Sequence, residues 1–194
     1  MTDGRAATRA HLRAHFARQG VVADPDSAEV TFLGVEPIEV LRFGPDRDGV
    51  SHYVSLGGSG AEVVVSLRPA ATATGLARSV AVLAAAPAVE GLILAPDALV
   101  DFGQRLWAGA PFTAFLLGHS TIGDLPAEPA SDHRTAERGL PSDHPTVVFV
   151  QATPITATEA AWVRLKGPEA MRRAWHQDGV DVLDPGRSAS SAGG

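Results

Sequence analysis

The run His52-Tyr53-Val54-Ser55-Leu56, then Gly57-Gly58-Ser59-Gly60, then Ala61-Glu62-Val63-Val64-Val65-Ser66-Leu67-Arg68 most constrains the fold. Two apolar-rich runs with β-branched and aromatic residues flank four Gly/Ser residues, which predicts a strand, a tight turn and a second strand. No catalytic group stands out in it. A hairpin of this kind is expected to offer a backbone edge to a partner.

The chain has 194 residues, 45% hydrophobic and 20% charged, which suits one globular domain with a short tail. A chain of this size buries roughly 70% of its unfolded surface and needs no metal or disulfide to hold a core. It contains no Cys, which excludes a disulfide framework, a cysteine zinc site and a thiol nucleophile, and fits a reducing compartment. Residues 1–20 carry Arg5, Arg9, Arg13 and Arg18 and lack the apolar core of a secretory leader. The longest apolar run, Val80 to Ala88, is interrupted by Pro87 and falls far short of the roughly 20 residues of a membrane span. The expectation is a soluble, cytoplasmic protein without membrane contact. Net charge is −6 and Lys166 is the single lysine, so the basic footprint of a nucleic-acid binder is missing.

Leu12 and Phe16 stand one turn apart and predict a helix over 5–19, ended by Gly20. Strands are predicted at Val30–Leu33 and Ile38–Phe43. The second loses its alternation at Leu41, which implies a bulge or burial on both faces. Residues 44–49 read as a turn. Leu76, Val80 and Leu83 share the stripe of a central helix, Thr74–Ala86, with Pro87 as its stop. Strands follow at 91–94, 98–100 and 112–117, then a Pro-, Asp- and His-rich loop over 118–145, then a strand at 146–151. Thr156 or Thr158 caps a helix through Trp162 and Leu165, with Glu159 in its first turn. Gly167-Pro168 starts another, with Met171, Ala174 and Trp175 on its apolar side. Val180–Leu183 is a short final element. Consecutive strands with helices at the start, middle and end indicate an α+β fold: a mixed, largely antiparallel β-sheet with helices packed over it. The domain is placed at 5–185 and a disordered tail at 186–194.

Motifs that suggest chemistry each have a plainer account. His11 and His15 lie one turn apart, but Leu12 stands where a zinc protease needs Glu. Ser131-Asp132-His133 and Ser142-Asp143-His144 hold metal-ligand types on a loop whose ordering costs about 1–2 kcal/mol per residue. Gly118-His119-Ser120-Thr121-Ile122 lacks the last glycine of a nucleophile elbow. Gly57–Gly60 lacks the lysine of a phosphate loop, and Asp46-Arg47-Asp48-Gly49 lacks the distal Glu of a calcium loop. Glu36, Glu39 and Glu62 read as strand positions, and Trp107, Trp162 and Trp175 as packing residues. The residues therefore assign no catalytic group, no metal and no cofactor.

Four segments together are similar to the suppressor of fused family in a bacterial single-domain form: Thr31–Pro45, His52–Ser59 with Glu62–Arg68, Gly75–Val80 with its helix, and Pro154–Trp162 with the helix through Trp175. The resemblance spans about residues 10 to 185. It implies a non-enzymatic protein-binding domain, since the animal family binds a transcription-factor peptide that adds as a strand with a second domain closing over it. This chain is too short for that second domain. Similar bacterial proteins imply an immunity role, with a toxin domain as protein partner. In the family a longer segment follows the Gly-x-Ser turn, whereas here Gly60 passes directly to Ala61-Glu62. Matching the family strand carries partner binding over to Tyr53 and Ser55. Two other readings stand beside this one: a metal-dependent hydrolase using loop 131–144, and a structural scaffolding subunit. The sequence sets no oligomeric state.

Overall fold

In the computed structural model, residues 2–59, 61–68, 73–125 and 147–189 are described. The chain runs α1 (Thr2–Arg18), β1 (Asp26–Phe32), β2 (Val35–Phe43), β3 (Ser51–Leu56) and β4 (Ala61–Leu67), then α2 (Leu76–Glu90). It continues through β5 (Leu99–Asp101), β6 (Phe112–His119), β7 (Val148–Thr156), α3 (Ala157–Lys166) and α4 (Pro168–Asp178). The strands form one seven-stranded sheet in the order β1-β2-β3-β4-β7-β6-β5. Only β4–β7 is parallel; the other pairs are antiparallel. The mixed, largely antiparallel α+β architecture is the one the sequence predicts.

Helices cover both faces, which is why the inner strands read as apolar runs. Val63, Val65 and Leu67 of β4 point with Phe115 and Leu117 towards α2, whose Leu76, Val80 and Leu83 are fully buried there. Val64 points to the opposite face, with Leu41, Phe43 and Val54, against Leu12 and Phe16 of α1. Leu41 and Phe43 thus face away from Ile38 and Val40, so β2 is buried on both sides. On the α1 side of the sheet, α3 and α4 pack Ala160, Val163, Met171 and Trp175 over Ala114, Leu116 and Ile155. Burying each such Val, Leu or Phe contributes about 1.5–3 kcal/mol.

Three expectations change. The β3–β4 hairpin lies inside the sheet, because β3 also pairs with β2 and β4 also pairs with β7; the sheet edges are β1 and β5. Pro87 does not stop α2, which runs on to Glu90 and ends at Gly91 in the left-handed conformation (φ 70°). A proline in the last turn removes one helical N–H, and the buried stripe of α2 outweighs that loss. Residues 91–94 form no strand. The chain reverses at Gly91, leaves Ile93 83% exposed and inserts only Leu94, while the edge position beside β6 goes to β5.

Of the two cap residues proposed for α3, Thr156 holds the position. Its hydroxyl accepts from Glu159 N–H (3.2 Å) and Glu159 accepts from Thr156 N–H (2.9 Å), a reciprocal capping box. Arg187, which composition places in the tail, is buried. Residues 190–194 lie outside the described residues. So do Ser131–His133 and Ser142–His144 of the loop.

Candidate partner-binding cleft

The hairpin turn is built around one carboxylate. Gly57 has φ +103°, and a side chain on Gly58 would meet the Ala61 carbonyl at 2.6 Å, so glycine is required at both. Glu62 accepts Gly57 N–H (2.7 Å) and the Ser55 hydroxyl, while Ser55 Oγ accepts Val63 N–H (2.8 Å). Ser55 is fully buried; both of its bonds lie within the hairpin. Tyr53 is half-buried and packs on the α2 face of the sheet, between Arg42 and Val65 in the ladder.

On the opposite face, between the end of α1 and the segment after α4, lies an open cleft of about 890 Å³. Alternation along β3 and β4 brings His52 and Ser66 to this face, in register with each other. His52 Nδ1 is 3.0 Å from Ser66 Oγ and its Nε2 is 3.0 Å from Asp46 Oδ2. Gln151 of β7 reaches Ser66 Oγ through its amide at 3.4 Å, and His119 and Thr153 extend the floor across β6 and β7. The ring of His52 lies 4.7 Å from that of Phe16. Asp46 is fixed by its own turn: Oδ1 accepts the N–H groups of Asp48 and Val50, each at 2.9 Å. Burial opposes its charge, but those N–H groups and the His52 imidazole outweigh it and hold the carboxyl below its usual range. With Asp46 ionised, the Nε2–H of His52 faces its carboxylate, and Nδ1 faces the Ser66 hydroxyl.

Carboxylate, imidazole and hydroxyl stand here in the order of a serine-hydrolase relay. The setting differs. A hydrolase nucleophile sits on a strained turn beside N–H donors that receive the oxyanion, whereas Ser66 lies inside a strand paired with β3. The sequence placed Asp46 in a turn and His52 and Ser66 in strands; only alternation, which puts His52 with Val54 and Ser66 with Val64, hinted that they share a face. The sequence-derived pair and this cleft are therefore separated by the sheet. Glu39 is held by Arg9, and His11 bonds the Gly123 carbonyl at 2.8 Å, so these residues tie α1 to the sheet and to the chain after β6. Among the described residues no group of three or more His, Cys, Asp or Glu could hold a metal ion, and no helix is long and apolar enough to cross a membrane.

The order of strands, the helices on both faces and the latched C-terminal helices define a class of mixed-sheet domain found in known structures. A protein from Neisseria gonorrhoeae described as a suppressor of fused homologue superposes with a TM-score of 0.67, at 19% identity over 98% of each chain. A chain of the Sufu–Fu complex gives 0.64 at 17% identity, over 96% of this chain and 91% of that one. Drosophila Suppressor of Fused gives 0.65 at 16%, with this chain spanning 51% of that one. The family model described as suppressor of fused protein matches residues 57–188. The chain belongs to the suppressor of fused family. A comparison with curated proteins finds no match.

Proposed function

We propose that this protein is a non-enzymatic binding domain that takes a segment of a partner protein in the cleft between α1 and the segment after α4. The observation that carries the reading is the floor itself: side chains from β3, β4, β6 and β7 present imidazole, hydroxyl and amide groups to an open cavity. Such groups suit the main chain and polar side chains of an extended peptide. The Sufu–Fu complex supports a protein partner, since a domain of this fold is there in complex with another protein. The Asp46–His52–Ser66 chain serves as a preorganised floor. Tyr53 is a separate contact, for a partner that also reaches the α2 face, and Ser55 acts by shaping the hairpin.

The partner we propose is a toxin domain that this protein neutralises. Net charge of −6 favours encounter with a basic partner. The test is affinity purification of the tagged protein with products of neighbouring genes, repeated with Ser66→Arg to fill the cleft and with Tyr53→Ala. A partner retained by the parent and lost with Ser66→Arg supports the reading. A partner bound equally by both variants removes the cleft from it.

A further inference from the structure

The ladder between β4 and β7 ends at Val64 and Gln151. Beyond that point β4 runs on to Leu67 beside β3, and β7 runs on to Thr156 beside β6. The sheet forks there, and the fork opens into the cleft. The segment after α4, residues 179–189, crosses it as a strap. On the β4 side, the Leu183 carbonyl accepts Arg68 N–H at 2.8 Å, and Asp181 takes Arg68 Nε at 2.8 Å. On the β7 side, Arg187 donates to the Pro154 carbonyl (3.0 Å) and to Glu159 (2.6 Å). Its guanidinium lies 5.0 Å and 5.4 Å from the ring centres of Phe112 and Trp175. Val182 and Leu183 form a wall of the cleft.

Val180 and Val182 of the strap pack against the core under α3 and α4, and its polar attachments across the fork are the two just described. Of residues 179–189, Arg187 is the one that is buried. Its counterpart at the other end, Arg68–Asp181, is about half exposed on both sides and so holds weakly. A buried ion pair such as Arg187–Glu159 returns in attraction roughly what it loses in hydration, and Arg187 Nε has no hydrogen-bond partner. Both attachments select geometry and charge more than they add net stability. An attachment of that kind can be exchanged for an equivalent one.

We infer that the fork is a binding site for an extended peptide, filled in cis by the chain's own residues 179–189, and that a partner docks by replacing this strap. The strap states the chemistry required. The incoming segment carries a carboxylate for Arg68, a main-chain carbonyl two residues later for Arg68 N–H, and a guanidinium four residues after that for Glu159. This inference rests on the reading of the cleft as the partner site.

The probe is a fluorescein-labelled peptide of residues 179–189, titrated into the full chain and into the full chain carrying Asp181→Ala with Arg187→Ala. The double variant keeps the strap tethered but without its two side-chain anchors, leaving the Leu183 carbonyl on Arg68 N–H. A tethered competitor acts at an effective concentration in the millimolar range, so the peptide is expected to bind the double variant at least about tenfold more tightly than the parent. The same peptide with Arg187→Ala is expected to bind about tenfold more weakly. Hydrogen exchange of the parent reads the strap directly. Arg68 N–H is expected to exchange faster than the core amides of β4, through local opening. A folded double variant that ignores the peptide overturns the inference. So does an Arg68 amide that exchanges only with global unfolding, even where the double variant does not fold. A partner that binds the parent and leaves Arg68 protection unchanged ends strap exchange but keeps the cleft reading. Peptide binding with a partner insensitive to Ser66→Arg does the reverse.

Discussion

Arg187 Nη1 stands 2.6 Å from Glu159 Oε1, and the two side chains are 5% and 2% exposed. The same carboxylate accepts Trp175 Nε1–H at 2.8 Å and caps α3 through Thr156. One buried charge thus joins the last strand, both C-terminal helices and the strap. Burial opposes that charge, but Arg187, the Thr156 N–H and Trp175 outweigh it and keep the carboxyl below its usual range. Arg187→Ala takes the buried guanidinium away from the enclosed carboxylate and is expected to cost about 3–5 kcal/mol in urea unfolding. Arg187→Lys is expected to restore only part of this, since one ammonium cannot replace a planar fork that reaches Glu159 and Pro154 together. An Ala variant as stable as the parent would show that the pair is not a latch.

Acid should weaken the fold in two steps. Burial first, then the charge of Arg18 and the nearby His11 and His52, lower the pKa of His15 from 6.5. The unfolded chain then binds a proton more readily than the folded one, so stability is complete above 6.5 and falls as pH drops below it. Glu159 is depressed in the folded state, so its contribution is present above 4.5 and is lost as pH falls through its lower folded value. Urea midpoints are expected to be lower at about pH 5.5 than at about pH 7.5. His15→Gln should remove most of that difference. A midpoint unchanged between the two would count against a buried, neutral His15.

Sheet, helices and cap were legible because they rest on local signals: the alternation of β3, the stripe of Leu76, Val80 and Leu83, and Thr156 with Glu159 three residues on. What the sequence hid was contact order. Nothing local tells that β4 takes β7 as its parallel neighbour 87 residues downstream (Ala61 with Val148), and that pairing is what buries the hairpin's backbone edge. The cleft was hidden for the same reason. Its residues come from β3, β4, β6, β7 and the segments after α1, β2, β4, β6 and α4, and each alone reads as a turn or strand position. Arg187 was hidden by composition, since its Gly/Ser neighbours suggest disorder while its partner, Glu159, lies 28 residues away.

Ser55 offers a direct contrast between shaping and touching. Removing its hydroxyl leaves Val63 N–H without its acceptor in the core, at about 1–3 kcal/mol. Ser55→Ala is expected to lower the melting temperature while the folded variant still retains the partner. Thermal unfolding and affinity purification on the same preparation separate the two. Loss of the partner at full stability would make Ser55 a contact after all.

The Asp46–His52–Ser66 chain is expected to be chemically quiet. Ser66 lies within β4, paired with His52 of β3, and not on the strained strand-to-helix turn that exposes a hydrolase nucleophile beside its oxyanion donors. Treatment with a fluorophosphonate and intact-mass measurement should show no adduct. An adduct on Ser66 that disappears with His52→Ala would turn this floor into an active site.

Pro87 gives a test of how α2 is held. It stands in the last turn, before the chain closes the helix with Gly91 N–H on the Pro87 carbonyl (3.1 Å) and Leu92 N–H on the Ala86 carbonyl (3.4 Å). Its ring removes the N–H that would bond back towards Leu83 and crowds that carbonyl. Leu76, Val80, Ala81, Leu83 and Ala84 are fully buried on the sheet, and it is this burial that carries the helix past the proline. Pro87→Ala returns the missing donor on a half-buried surface and is expected to stabilise the protein by about 1–3 kcal/mol. The same substitution with Val80→Ala should give back the gain, since a buried large-to-small change at the centre of the stripe costs a similar amount. Urea midpoints of the two variants decide it. A destabilised Pro87→Ala would mean that the ring itself packs against the sheet and is part of what fixes the end of α2.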